Sequence, residues 1–151
     1  MSSELHKNEP LAMKYRLTPV TTEFAVQTIT LSFTGSERSA LRVLVDMQVV
    51  AERLASRHEP ESGYQAAEIT FITWAKLEVT HLNFWEAQYD NIETVDAATV
   101  EAGFYYVSNS AWDKTMYDPL NRFDLAHFLL IGYDSYLEVL AAKDFQIALR
   151  S

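Results

Sequence analysis

The chain has 151 residues, enough for one domain to bury an apolar core without a disulfide or a metal ion. It contains no cysteine, which excludes disulfides, thiolate metal sites and cysteine nucleophiles. Its net charge of −9 argues against a protein that binds nucleic acid or an anionic membrane through a basic surface. We therefore expect neither a nucleic-acid nor a membrane partner.

Residues 1–12 are polar, and we expect them to be a disordered extension ahead of a single globular β-rich domain over residues 13–151. No apolar run approaches the length of a membrane span, and no signal-peptide core precedes the domain. Together with the absence of cysteine, this predicts a cytoplasmic location.

Two segments near the N-terminus have strand composition. Residues 23–33 are rich in Thr, Val, Ile and Phe. Residues 41–54 fit two structures: alternate apolar side chains from Leu41 onward indicate a strand, whereas a capping box at Thr34 and Glu37 would suit a helix. The density of β-branched residues favours the strand.

Residues 68–84 predict a second long extended segment, with both faces partly apolar. The phase of the alternation is lost near Trp74, which predicts a bulge or a break there. Paired with residues 41–54 across a polar loop, this segment would form a long antiparallel hairpin.

A short helix is predicted near residues 95–102, with Gly103 as the residue that ends it. Residues 104–107 then read as a short aromatic strand. Residues 108–121 are loop-like, with a turn at Asp118 and Pro119.

The C-terminal part predicts three strands, over residues 126–132, 137–142 and 144–149, with a turn between the first two. The whole chain therefore predicts an all-β or β-rich α+β fold. We expect a two-layer antiparallel sheet, a sandwich-like meander, with the one short helix near residues 95–102.

The negative charge is concentrated in the second part of the chain. Residues 1–60 carry seven basic and seven acidic side chains, whereas residues 61–151 carry five basic and fourteen acidic ones. The stretch from Phe84 to Tyr136 also holds 12 of the 19 aromatic residues. An acidic field with aromatic anchors suits the capture of a basic protein surface.

An acidic face also keeps an ordinary protein soluble, and its aromatic residues can simply belong to the core. We interpret Phe104, Phe123 and Phe128 in that way. The Trp and Tyr residues beside acids and turns differ, because such residues often dominate binding energy. The predicted partner-binding residues are Trp85, Glu86, Tyr89, Asp90, Glu93, Trp112, Asp113, Tyr117, Asp118 and Asp124.

No motif points to catalysis, a metal or a cofactor, so we predict no catalytic residues, no metal site and no cofactor. Glu78 and His81 have the spacing of a metal pair on a helix, but on a strand they would face opposite sides. His127 is interpreted as a core or edge histidine with a satisfied ring. Asp118 and Asn121 are interpreted as turn residues.

The strand pattern resembles the small, acidic, β-rich immunity proteins that accompany bacterial toxins. The residues that carry the resemblance lie in three stretches, 41–49, 68–79 and 127–139. As a pattern of strands, the resemblance extends over about two thirds of the chain. The resemblance implies a non-enzymatic inhibitor in the bacterial cytoplasm. Such an inhibitor neutralises a basic toxin or nuclease by protein–protein contact.

Two other hypotheses remain open at this stage. One is a small-molecule-binding β module or enzyme, with an aromatic-lined pocket formed by Trp74, Trp85, Phe104 and Tyr106. The other is a homodimer in which residues 68–84 form an exposed edge strand that pairs with a second copy.

Overall fold

Ten strands form two sheets that pack face to face. The structure, a computed structural model, describes residues 15–20, 24–30, 40–49, 64–94 and 103–149. The strands are β1 (Tyr15–Pro19), β2 (Phe24–Thr30), β3 (Leu41–Val49), β4 (Tyr64–Phe71), β5 (Trp74–Thr80), β6 (Ile92–Thr94), β7 (Phe104–Val107), β8 (Ala126–Ile131), β9 (Tyr136–Ala141) and β10 (Gln146–Leu149).

One sheet has six strands in the order β5-β9-β8-β7-β1-β6, and the other has four in the order β10-β4-β3-β2. All neighbours are antiparallel except β1 and β6, which run parallel. The expected two-layer, β-rich fold is therefore confirmed. The helix expected near residues 95–102 lies outside the described residues, as does the extension expected over residues 1–12.

The four-stranded sheet shows why residues from Leu41 onward form a strand. Leu41, Val43 and Val45 are buried, while Arg42 between them is exposed. This alternation places the side chains of Leu41, Val43 and Val45 in the core, which a helix could not do. β3 pairs with β4 from Leu41 opposite Phe71 to Gln48 opposite Tyr64. Of the expected hairpin partner, residues 68–84, the pairing is therefore confirmed for residues 68–71.

The expected single strand over residues 68–84 is divided in two. β4 ends at Phe71 in the four-stranded sheet, and β5 begins at Trp74 in the six-stranded sheet, where it pairs with β9. The break predicted near Trp74 is therefore confirmed. Its consequence, that the chain passes from one layer to the other, could not be read from the alternation, because both halves remain extended.

The core between the sheets is apolar and rich in aromatic rings. Phe71 from the four-stranded sheet lies 5.3 Å from Phe128 and 6.3 Å from Phe104, measured between ring centroids. Phe145 lies 6.1 Å from Phe71. Both sheets contribute to this one cluster, so their packing depends on the same side chains.

The three C-terminal strands are confirmed, and β8 and β9 are the most buried strands among those described. Every residue of both strands is buried. Alternate side chains of β8 face the inter-sheet core, and the others, His127, Leu129 and Ile131, face the opposite side. Other segments of the chain must therefore cover that second face of the six-stranded sheet.

Among residues 64–94 and 103–149, two single-turn helices occur where the sequence predicted none: α1 (Phe84–Ala87) and α2 (Lys114–Tyr117). A 3₁₀ turn over Tyr89–Asn91 follows α1. Helices of one turn have no periodicity to detect, and they depend on the capping residues Asn83 and Asp113. Among the residues described, no helix is long and apolar enough to cross a membrane.

We expect Phe71→Ala to lower the free energy of unfolding by about 3–5 kcal/mol, because it removes a fully buried ring that three other rings contact. Tyr133→Ala is the matched control, since this ring is exposed, and should change stability by less than about 0.5 kcal/mol. Urea unfolding followed by circular dichroism measures both. Equal losses would contradict the described core.

Candidate partner-binding face

We use the term outer face for the side of the six-stranded sheet that points away from the four-stranded sheet. Its apolar side chains form a cluster that is separate from the inter-sheet core. This outer cluster includes Tyr105, Leu129, Ile131 and Tyr136. Two connecting segments pack on it, residues 83–94 and residues 108–125. All ten predicted partner-binding residues lie in these two segments.

The segment 83–94 is fixed to one end of the outer face by Phe84. This ring is buried and lies 5.2 Å from Tyr15 and 5.0 Å from Tyr136, edge to face in both cases. Asn83 caps α1 by accepting the Glu86 N–H, and its own Nδ2 donates to the Tyr133 carbonyl at 3.0 Å. The first turn of the segment is thereby anchored at both the backbone and the ring.

Five of the predicted residues belong to this segment. Trp85 is half-buried and packs edge to face on Phe84 at 5.3 Å. Glu86 and Asp90 are exposed. Tyr89 begins the 3₁₀ turn, and Glu93 lies opposite Arg16 in the parallel pair of β6 and β1.

The segment 108–125 is fixed to the other end of the outer face by Trp112. Its indole stacks on the His127 ring with the centroids 4.0 Å apart and the planes 12° apart. The Lys76 ammonium lies 4.3 Å from the centroid of the same indole, a cation–π contact. Trp112 therefore holds the segment to the sheet, and only part of it remains available to a partner.

Asp113 is exposed and caps α2. One of its oxygens accepts hydrogen bonds from the Thr115 N–H at 3.1 Å, the Thr115 hydroxyl at 2.6 Å and the Met116 N–H at 3.3 Å. The bond from the Thr115 hydroxyl, more than the two backbone bonds, lowers the pKa of this carboxyl. The cap is therefore formed at neutral pH, and it is lost only as the pH falls through that lowered pKa.

Asp118 does not face solvent. It is 7% exposed, and its two oxygens accept the backbone N–H groups of Arg122 at 2.8 Å and Phe123 at 2.9 Å. Its carbonyl accepts the Asn121 N–H, which confirms the predicted turn. Asn121 and Asp124 have φ angles of 48° and 50°, which Asn and Asp tolerate better than most residues. Asp118 shapes the segment, while Asp124 is exposed and pairs with Lys143 at 3.4 Å.

The turn that Asp118 organises displays apolar side chains to solvent. Met116 is 72% exposed, Leu120 68% and Phe123 50%. The interpretation of Phe123 as a core residue was wrong, because the turn directs it outward, whereas Phe104 and Phe128 are buried as expected. With Tyr117, also exposed, we call Met116, Leu120 and Phe123 the exposed quartet. Of its four members, sequence reasoning had identified only Tyr117 as a partner-binding residue.

A buried polar network lies under the segment 108–125. Glu138 is buried on the outer face, where one of its oxygens, Oε1, lies 2.9 Å from both the Tyr15 hydroxyl and His127 Nε2. The other ring nitrogen, Nδ1, lies 2.6 Å from Ser110 Oγ. Burial, and then the charge of Glu138, raises the pKa of Tyr15 well above its usual range, so this hydroxyl remains a donor. His127 has the satisfied ring that was predicted.

The four aromatic residues of the pocket hypothesis do not line one cavity. Phe104 and Tyr106 belong to the inter-sheet core, as does Trp74, whereas Trp85 packs on the outer face. Within the described part of the chain, no three His, Asp or Glu side chains are placed to hold a metal ion.

We expect Asp118→Ala to lower the free energy of unfolding by about 1–3 kcal/mol, because two backbone N–H groups lose a charged acceptor. Asp144→Ala removes an exposed carboxylate between β9 and β10 and should cost less than about 0.5 kcal/mol. Chemical denaturation compares them. If both variants unfold at the same denaturant concentration, Asp118 does not organise the segment.

Glu138 and Glu78 are direct cross-strand neighbours, one buried and one with a half-exposed side chain. Glu138→Ala leaves Tyr15 and His127 without their common acceptor and should cost about 3–5 kcal/mol. Glu78→Ala should change stability by less than about 0.5 kcal/mol. Thermal and urea unfolding of the pair measure the difference, and a small loss in Glu138→Ala would refute the network.

The two segments form one exposed surface above the outer face of the six-stranded sheet. Two anchored segments place exposed carboxylates and the exposed quartet outside the buried strands β8 and β9. The searches against family models, curated proteins and solved structures find no match to this chain.

Proposed function

We propose that this protein is a binding protein of the immunity type, which captures the basic surface of a toxin or nuclease and thereby inhibits it. It would act in the bacterial cytoplasm, as a stoichiometric partner. The observation that supports this most is the position of the two acidic segments on one face of one sheet. The segments 83–94 and 108–125 together carry six acidic side chains and two basic ones.

The charges favour a basic protein over other partners. Glu86, Asp90, Asp113 and Asp124 are exposed, so they act through solvent and raise the rate of encounter with a positive surface. The same charges repel phosphate groups and anionic lipid. A toxin that binds nucleic acid must carry positive charge, and an acidic surface competes for that charge.

The exposed quartet supplies the apolar contacts that a charged surface alone lacks. Met116, Tyr117, Leu120 and Phe123 lie within eight residues of one another. The backbone beneath them is fixed by hydrogen bonds to Asp113 and Asp118 and by the stack of Trp112 on His127. A surface held in its binding conformation loses less conformational entropy on association, which favours tight binding.

The test compares two charge reversals of equal size. Glu86→Lys changes an exposed acid of the proposed face, and Asp144→Lys changes an exposed acid between β9 and β10. We do not choose Asp113 or Asp118, because the side chains of both accept backbone N–H groups, or Asp124, because its φ of 50° disfavours Lys. With each immobilised protein as bait, a bacterial lysate is passed over at low and at moderate salt.

We expect one basic protein to be retained one-to-one by the wild type and by Asp144→Lys at low salt, and to be released as salt rises. With that protein purified, Glu86→Lys should slow association several-fold, while the double variant Leu120→Ser/Phe123→Ser should speed dissociation. The proposal fails if no protein is retained at either salt. The assignment of the face fails if the two charge reversals have equal effects.

A further inference from the structure

The buried network on the outer face runs from the interior of the sheet to the surface. Glu138 and His127 are buried, with side chains 5% and 0% exposed. Ser110, at the other end, is only partly buried. At this end of the network the Ser110 hydroxyl lies 2.6 Å from His127 Nδ1, and the other ring nitrogen contacts the carboxylate of Glu138.

The hydrogen bonds fix the direction of this chain. The backbone N–H of Trp112 donates to Ser110 Oγ at 3.1 Å, which leaves the hydroxyl proton free to point at His127 Nδ1. In the neutral ring Nδ1 is then the acceptor, and Nε2 carries the proton that is donated to Glu138. The Tyr15 hydroxyl donates to the same carboxylate oxygen and holds it in place.

Packing alone does not require such a chain. Apolar side chains such as Leu129, Ile131 and Leu140 are buried on the same face, and an apolar group in place of a buried ion pair is often as stable or more so. A hydroxyl hydrogen-bonded to a base, which a third group orients, is the arrangement that activates a serine nucleophile.

We propose that Ser110 is a nucleophile towards carboxylic esters, with His127 as its general base and Glu138 as the residue that orients and stabilises the imidazole. Tyr15 is a positioning residue, because within the network its hydroxyl donates to the Glu138 carboxylate and does not contact Ser110 or His127. Asp113 and Asp124 on the same segment make uncharged or cationic esters the favoured class, since they repel anionic ones.

The reaction is an acyl transfer in two steps. Ser110 Oγ forms a bond to the carbonyl carbon while its proton passes to His127 Nδ1, and the bond from that carbon to the leaving oxygen breaks. The leaving alkoxide takes the proton from Nδ1. Water then attacks the acyl-serine, gives one proton to Nδ1, and releases the carboxylic acid as Ser110 recovers that proton.

A fluorophosphonate ester, which is uncharged, tests the nucleophile directly in the intact protein. Ser110 Oγ forms a bond to phosphorus, fluoride leaves, and the hydroxyl proton passes to His127. We expect one phosphonyl group per chain, mapped by mass spectrometry to Ser110. The label should be lost in Ser110→Ala and retained in Ser108→Ala, whose exposed hydroxyl donates only to the Arg16 carbonyl.

Glu138→Gln separates activation from structure, because the amide oxygen can still accept from Tyr15 and His127 but carries no charge. With circular dichroism confirming that the variant folds, its labelling rate should fall by at least about tenfold. Absence of a label on Ser110 in the folded wild type would overturn the proposal, as would an unchanged rate in Glu138→Gln. Neither result bears on partner capture, which depends on exposed acids and the quartet.

Discussion

The burial of β8 and β9 on both faces is the constraint on which the rest of the structure depends. One face of these strands packs on the four-stranded sheet through Phe128 and its neighbours, and the other would expose Leu129, Ile131 and Leu140 to water if nothing covered it. The connections before β6 and before β8 supply that cover. Phe84 and Trp112 anchor these connections to the sheet. The side of each connection that faces away from the sheet can therefore carry charged residues.

The same cover over the outer face also removes the polar network from water. A carboxylate on the uncovered side of a sheet would be solvated and would bind its neighbours weakly. Under the segment 108–125, Glu138 is instead removed from water, while its cross-strand neighbour Glu78 remains half-exposed at the side of the sheet. Burial is thus what couples Tyr15, His127 and Ser110 to one acid.

The sequence predicted the fold wherever a local pattern was sufficient. The apolar runs around Phe128 and Leu137 read directly as strands, and the density of β-branched residues from Leu41 onward favoured a strand over a helix. The passage between layers after Phe71 and the outward turn of Phe123 depend on tertiary contacts, so they left no periodic signal. The buried polar network could not be predicted from the sequence. Its residues, Tyr15, Ser110, His127 and Glu138, come together only through the order in which distant strands pair.

The passage from β9 in the six-stranded sheet to β10 in the four-stranded sheet has a consequence for how the chain folds. In the four-stranded sheet β10 is the edge strand beside β4. It follows all the strands of the six-stranded sheet in the sequence. Phe145, just before β10, completes the ring cluster between the layers. During synthesis on the ribosome, the apolar core would therefore remain incomplete and partly exposed until Phe145 and β10 have emerged. Pairings so distant along the chain make slow folding the natural expectation.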